Sequence, residues 1–319
     1  MKNGMKALLK TRLLNQRKLN SIKKDWQLYL LVALPVIYII VFKLVPLYGV
    51  QIALKDYVAR IGITGSEWAN PLFKHFINFF NDYNFWRVIR NTLTISVYGL
   101  VAGFPLPILF ALSLNYLGNK KIKKTIQMLT YAPHFISTVV IVGMLMQFFQ
   151  TRTGMVNQLF TYLGMEEIDF FGTAGTFPHM YVWSQIWQNL GFSSIIYIAT
   201  LTGIDPALHE AAIMDGANKL QRMWHIDLPG IMPTAIVLLT LNLGKILNVG
   251  FEKVLLMQNP INIKLSEIIT TYVYKVGLAS AIPQFSYSTA IGIFKSVIGL
   301  ILILTFNKLS KKISESSLF

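Results

Sequence analysis

The sequence predicts an all-α integral membrane protein of about six transmembrane helices, with both termini on the cytoplasmic side. Three observations carry that expectation. Of 319 residues, 54% are hydrophobic and only 13% charged, and the mean hydropathy is +0.51. Soluble domains carry roughly 25% charged residues, so this chain holds more apolar surface than one water-soluble core of its size can bury, and a bilayer is its natural solvent. The apolar residues gather into six runs, and the basic residues gather on one side of those runs.

Crossing about 30 Å of hydrocarbon takes roughly 20 helical residues. Runs of that order lie at about 27–45, 92–114, 126–149, 180–201, 231–257 and 288–306, separated by segments rich in charge, Gly or Asn. If the amino terminus is inside, the inside segments hold 17 Lys and Arg against 6 Asp and Glu, and the outside segments hold 8 against 7. Basic residues near spans stay cytoplasmic, so the net charge of +15 reads as a topology signal with a secondary pull toward anionic lipid. Nucleic acid is excluded as a partner because no solvated basic-aromatic platform exists.

Each segment then has a reading. Residues 1–25 form a basic cytoplasmic segment: the apolar run behind them is too long for a signal-peptide core, and no small-residue cleavage site follows. Lys2, Lys6 and Lys10 with Leu9 and Leu13 suit an amphipathic helix on the inner leaflet, and a disordered tail is the alternative. Residues 26–319 form one membrane domain. Its longest outside loop, 46–90, gathers Phe76, Phe79, Phe80, Tyr83, Phe85 and Trp86, as interface anchors or as a platform for a soluble partner. The Lys120-Lys121-Ile122-Lys123-Lys124 run reads as a solvated inside loop.

The loop at 202–230 is the most specific feature. Asp205 stands where a helix N-cap belongs and Pro206 at the first helical position, where a missing N–H costs nothing. Glu210 follows in the first turns, favoured there by the helix dipole. The stretch Asp215-Gly216-Ala217-Asn218 breaks the helix, and a second short helix through Leu220, Met223, Trp224 and Ile226 is expected to end before Pro229. The result is a compact polar knob between two spans.

Glu210-Ala211-Ala212, then Gly216, Ile226 and Leu228-Pro229, occur at the spacings of the "EAA" loop, so the chain resembles the membrane permease subunits of ABC importers. Phe42-Lys43, Pro46-Leu47-Tyr48-Gly49, Ile52 to Tyr57, Phe251-Glu252-Lys253-Val254, Asn259-Pro260 and Thr271-Tyr272-Val273-Tyr274 resemble a carbohydrate branch of that family, akin to the maltose-type permeases. That branch is associated with oligosaccharides derived from complex polysaccharides. The resemblance implies a type I importer fold and alternating access driven by ATP. In it, Glu210, Ala211, Ala212, Asp215 and Gly216 form the contact and turn positions of a coupling helix that an ATPase pushes. Ile226, Leu228 and Pro229 anchor the return into the membrane. It also implies partners: a second homologous permease (a heterodimer being favoured), two cytoplasmic ATPase subunits, an extracytoplasmic binding protein and an oligosaccharide.

Polar groups inside spans are costly and face a bundle interior or a watery path. The fourth run offers Gln185, Trp187, Gln188 and Asn189. The fifth offers Asn242, Lys245 and Glu252, whose spacings of three and seven put all three on one helix face, with Asn248 near its edge. Amides and aromatic faces suit sugar hydroxyls and rings, and interhelical hydrogen bonding is the alternative use. Lys295 in the sixth run pairs across to a partner or snorkels.

No enzyme signature emerges. The chain has no phosphate-binding Gly-x-x-x-x-Gly-Lys loop, so ATP and Mg²⁺ belong to the ATPase and this chain is expected to bind no cofactor. His75, His134, His179, His209 and His225 lack metal-ligand spacing, with His209 and His225 read as surface residues of the knob, and zero cysteines exclude thiolate chemistry. The rival classes are an ion-gradient transporter, which needs no such knob and tends to carry inverted repeats, a non-transporting scaffold or sensor, and an importer for a peptide.

Overall fold

The computed structural model describes residues 24–314. Helices account for nearly all regular structure there, and a lone antiparallel bridge between Lys55 and Trp68 is the sole strand-like pairing among the described residues. Four continuous helices are long and apolar enough to span: Trp26–Leu54, Phe85–Asn115, Lys219–Gly244 and Phe285–Lys308. Two further candidates are bent helix pairs, Lys120–Phe135 with Thr138–Phe148 at 103° and Ala174–Thr202 with Pro206–Met214 at 72°. In the second pair Ala174–Thr202 is the membrane-crossing part, and Pro206–Met214 lies beyond it in the 202–230 loop. Counting each bent pair once gives six, as expected. The expected amphipathic helix at the amino terminus lies outside the described residues.

Span 1 is α1 (Trp26–Ile39), which passes through a π turn (Ile40–Leu44) into a 3₁₀ stretch (Val45–Leu54). It buries no residue of α1 within the chain, so its apolar side chains face outward all round. After it come α2 (Lys74–Phe80), then α3 (Phe85–Gly103) and α4 (Pro105–Asn115), which run on as span 2. Next are α5 (Lys120–Tyr131), α6 (Thr138–Phe148), α7 (Met155–Tyr162) and α8 (Phe177–Thr202).

Two expectations fail in this region. The Lys120–Lys124 run is the first turn of α5, not a loop: the Asn119 side chain caps it by accepting from the Lys121 and Ile122 amides. The third span is not straight, because Pro133 sits in a 3₁₀ turn and Ser137 restarts the chain by capping α6 at the Val140 amide. Proline supplies no donor and its ring crowds the preceding turn.

The outer aromatics also divide by role. Phe79 and Phe85 are buried and pack edge-on against Phe294, whereas Tyr83 and Trp86 are largely exposed. The former therefore belong to the core, which is assembled from three clusters. An outer one joins Phe79, Phe85 and Val88 to Ile269, Tyr272 and Ile291. A central one joins Ile95, Val142, Tyr181, Val182, Val254 and Ile268. The third, toward the knob, joins Ala111 and Leu112 to Tyr197, Leu201, Ile231 and Ala235.

The outer end is tied by buried charge. Glu267, almost wholly enclosed, pairs with Arg87 and, at 3.1 Å, with Lys275. Tyr272 and Tyr287 both donate to Asp82. Burial opposes ionisation of that carboxyl, but the two phenols and the Asn84 amide outweigh it and hold Asp82 below its ordinary range.

Candidate coupling loop and substrate path

The knob forms as expected at its first half. Helix α9 (Pro206–Met214) starts at Asp205, whose side chain accepts from the Ala207 amide at 2.9 Å. Gly216 follows at φ +80°, a left-handed conformation that side chains disfavour. The Ala217 amide reaches back to the Ala212 carbonyl at 2.8 Å, closing the end of α9. Asn218 and Gln221 then form a reciprocal capping box that starts α10 (Lys219–Arg222).

The second half differs from expectation. The helix does not end before Pro229. It passes through a π turn (Met223–Asp227) into α11 (Leu228–Gly244), making one 26-residue element. A proline inside a regular helix forfeits a hydrogen bond and its ring strikes the carbonyl four residues back. The widened π turn relieves that conflict, and Pro229 sits in the opening turn of α11.

Glu210, Ala211, Asp215, Gly216 and Pro229 are exposed, Ala212, Ile226 and Leu228 are half-buried, and Leu228 packs on the third core cluster. Around them Leu208, Ile213, Met214, Leu220 and Trp224 are each more than half exposed. The knob therefore presents an apolar surface rimmed by Glu210 and Asp215.

One residue beneath the knob escaped the sequence reading. Asp227 is 0% exposed, although it lies between the motif positions Ile226 and Leu228. Its Oδ2 accepts from the Tyr116 hydroxyl at 2.6 Å. Its Oδ1 lies 3.2 Å from Nε2 of His209, within ion-pair reach but without an aligned hydrogen bond. Burial, and then the Asp227 carboxylate, push the Tyr116 phenol well above its usual range, so it stays a donor. His209 is thus not a plain surface residue, while His225 is exposed and bonds the Gln221 carbonyl. The signal in the sequence was an acid at the mouth of an apolar run.

The expected path residues separate. The Gln188 amide donates to the Ile136 carbonyl, and Asn189 bonds the His134 ring and its own helix at Gln185. These two pin α8 to the bend before α6, which is the interhelical use. Trp187 is half-exposed and Gln185 exposed.

Asn242, Lys245, Asn248 and Glu252 do not share a continuous helix, which corrects the single-face expectation. Helix α11 ends at Gly244, and α12 (Phe251–Met257) begins after Gly250. Within a bilayer such a break is tolerated where protein or water satisfies the backbone. Here the Gly250 amide donates to the Tyr181 hydroxyl at 2.9 Å.

All four side chains remain exposed at or beside the break, and Asn248 lines a cavity of about 270 Å³ with Gly244, Leu247, Ser296 and a half-buried Lys295. The break also carries in Lys253, 3% exposed, whose Nζ reaches Gln185 Oε1 at 3.4 Å and lies 5.8 Å from the Tyr181 ring centre. The sequence reading did not single out Lys253 as a path residue.

Comparison with known proteins agrees with this architecture. YteP of Bacillus subtilis (strain 168), described as a polygalacturonan/rhamnogalacturonan transport system permease protein, is 42% identical, covering 95% of this chain and 94% of that protein. Protein LplB of the same organism is 42% identical over 94% of this chain and 93% of its own. The crystal structure of a bacterial ABC transporter involved in import of the acidic polysaccharide alginate superposes with a TM-score of 0.84 at 37% identity, covering 93% of this chain and 99% of that one. The same kind of transporter in complex with an alginate pentasaccharide-bound periplasmic protein gives 0.85 at 37% identity, covering 94% and 99%. Residues 103–315 match the family described as the binding-protein-dependent transport system inner membrane component. The chain belongs to that family, and is a multi-pass membrane permease component of an ABC importer that works with a binding protein.

Proposed function

We propose that this chain imports an acidic oligosaccharide as one of two transmembrane subunits. A second, homologous permease completes the pathway, two ATPase subunits bind the cytoplasmic knobs, and ATP and Mg²⁺ are held by those ATPases alone. Closure of the ATPase dimer pushes α9 and turns the spans from inward-open to outward-open. Cargo then passes from the binding protein into the pathway and is released inward on reopening.

The exposed apolar surface on α9, α10 and the π turn that follows carries the reading. Five large apolar side chains sit in the open there, and such a rimmed patch marks a protein contact. Glu210, Ala211, Ala212, Asp215 and Gly216 supply its contact and turn positions, and Ile226, Leu228 and Pro229 its return.

Charge supports the acidic cargo. Lys245, Lys253 and Lys295 stand in or beside the fifth and sixth spans against one acid there, Glu252, and none of the three is in an ion pair among the described residues. Cations kept within a membrane mark a pathway or a partner. The polygalacturonan and alginate transporters among the relatives point to the same cargo class. Gln185 beside Lys253 and Asn248 beside Lys295 add hydrogen-bonding groups, and Asn242 on span 5 and Trp187 on span 4 add an amide and a stacking face.

The test is gentle purification of the tagged chain from its host with identification of what accompanies it, followed by uptake of labelled galacturonate oligomers. An ATPase, a second permease and a binding protein are expected, with uptake blocked by vanadate. Recovery of the chain alone under conditions that keep other ABC complexes whole, or uptake limited to neutral oligomers, overturns the partners or the cargo respectively.

A further inference from the structure

Three chain segments meet at Asp227. Tyr116 follows the end of span 2, His209 stands on α9, and Asp227 closes the π turn that opens span 5. Arg222 completes the group: its guanidinium carbon lies 5.8 Å from the Tyr116 ring centre, and its buried Nε has no hydrogen-bond partner. A wholly enclosed carboxylate is costly unless its oxygens are matched. Here Tyr116 bonds Oδ2 and His209 stands within ion-pair reach of Oδ1, so both neighbours are tied to the one buried charge. Elsewhere α9 has little grip on the membrane domain, since none of its residues is buried. The Asp227 group is its polar link to two spans at once.

We infer that Asp227 is a positioning residue of transport, a buried strut through which displacement of α9 is passed to spans 2 and 5. This rests on the coupling-loop reading above and adds to it the element that transmits the push. Without the strut, α9 can still seat in the ATPase, but its motion is taken up by the joint. Nucleotide turnover then continues while the spans respond poorly.

The test uses the full complex in lipid nanodiscs and exploits the chain's lack of cysteine. Trp183→Cys, half-exposed on α8 and outside the proposed cargo contacts, reports opening through its labelling by a membrane-impermeant maleimide, with and without ADP–vanadate trapped in the ATPase. In Asp227→Asn, which keeps shape and removes charge, trapping is expected to stay within about twofold of the parent while the vanadate-induced change in labelling falls at least fivefold. His209→Gln, a substitution outside the spans, is expected to give the same split more weakly. An undiminished labelling response in both variants overturns the inference, as does parallel loss of trapping and labelling, which would make Asp227 only a folding or docking residue. Glu210→Lys tests the parent reading separately: it leaves the Asp227 contacts in place and should release the ATPase from the purified complex.

Discussion

Nζ of Lys253 lies 3.4 Å from Oε1 of Gln185, joining the helix that follows the span 5 break to the long helix of span 4. The lysine is held by one weak hydrogen bond and an aromatic ring rather than by an acid. No acid among the described residues balances this buried charge, so the proposed acidic cargo would meet it once the pathway opens around it. Lys253→Met is therefore expected to lower uptake of galacturonate oligomers at least tenfold at unchanged membrane abundance. Lys245→Met combined with Asn242→Leu is expected to weaken uptake as well. Unchanged initial rates in both strains would assign these groups to packing.

Gly216 makes a different demand, since its φ of +80° is set by the backbone and open space of at least 4 Å surrounds the point where a Cβ would stand. Gly216→Ala should cost about 1–2 kcal/mol of local strain and reduce transport modestly. Gly216→Pro, whose ring fixes φ near −65°, should abolish transport while leaving insertion intact. Vesicle uptake beside a membrane-fraction immunoblot separates the two effects.

At Gly191 the constraint is close approach. A Cβ there would stand 2.4 Å from the Thr130 carbonyl oxygen, so α8 and α5 touch backbone to backbone. Gly191→Val is expected to destabilise the domain by roughly 1–3 kcal/mol, the usual cost of overpacking, seen as a lower melting temperature in detergent. Gly118→Val, with open space around it, should leave the melting temperature nearly unchanged.

Glu267 anchors the outer end through two cations at once. Glu267→Ala leaves Arg87 and Lys275 facing each other without their counter-ion, and breaking a buried ion pair typically costs about 3–5 kcal/mol. The expected result is poor recovery of folded protein, with partial restoration by Glu267→Asp. Full thermal stability of the alanine variant would remove the triad from the stabilising contacts.

What the sequence determined by itself is what local chemistry controls. Six apolar runs, the Asp205 cap, the Gly216 turn and the spacing from Glu210 to Pro229 were legible because each depends on neighbours a few residues away. Run length against bilayer thickness set the number of spans, and cap and turn residues set the knob. What only the tertiary structure decided depends on who lies opposite. The bend at Pro133 to Ser137 and the break after Gly244 interrupt runs whose hydropathy is continuous, because Gln188 and Tyr181 stand across from them to bond the freed backbone. Lys253 and Asp227 became candidate site residues for the same reason: a charge buried beside Gln185, or between Tyr116 and His209, gains its meaning from partners 68, 111 and 18 residues distant. No periodicity records such pairings, since long-range contacts are chosen by packing and by the need to satisfy each buried polar group.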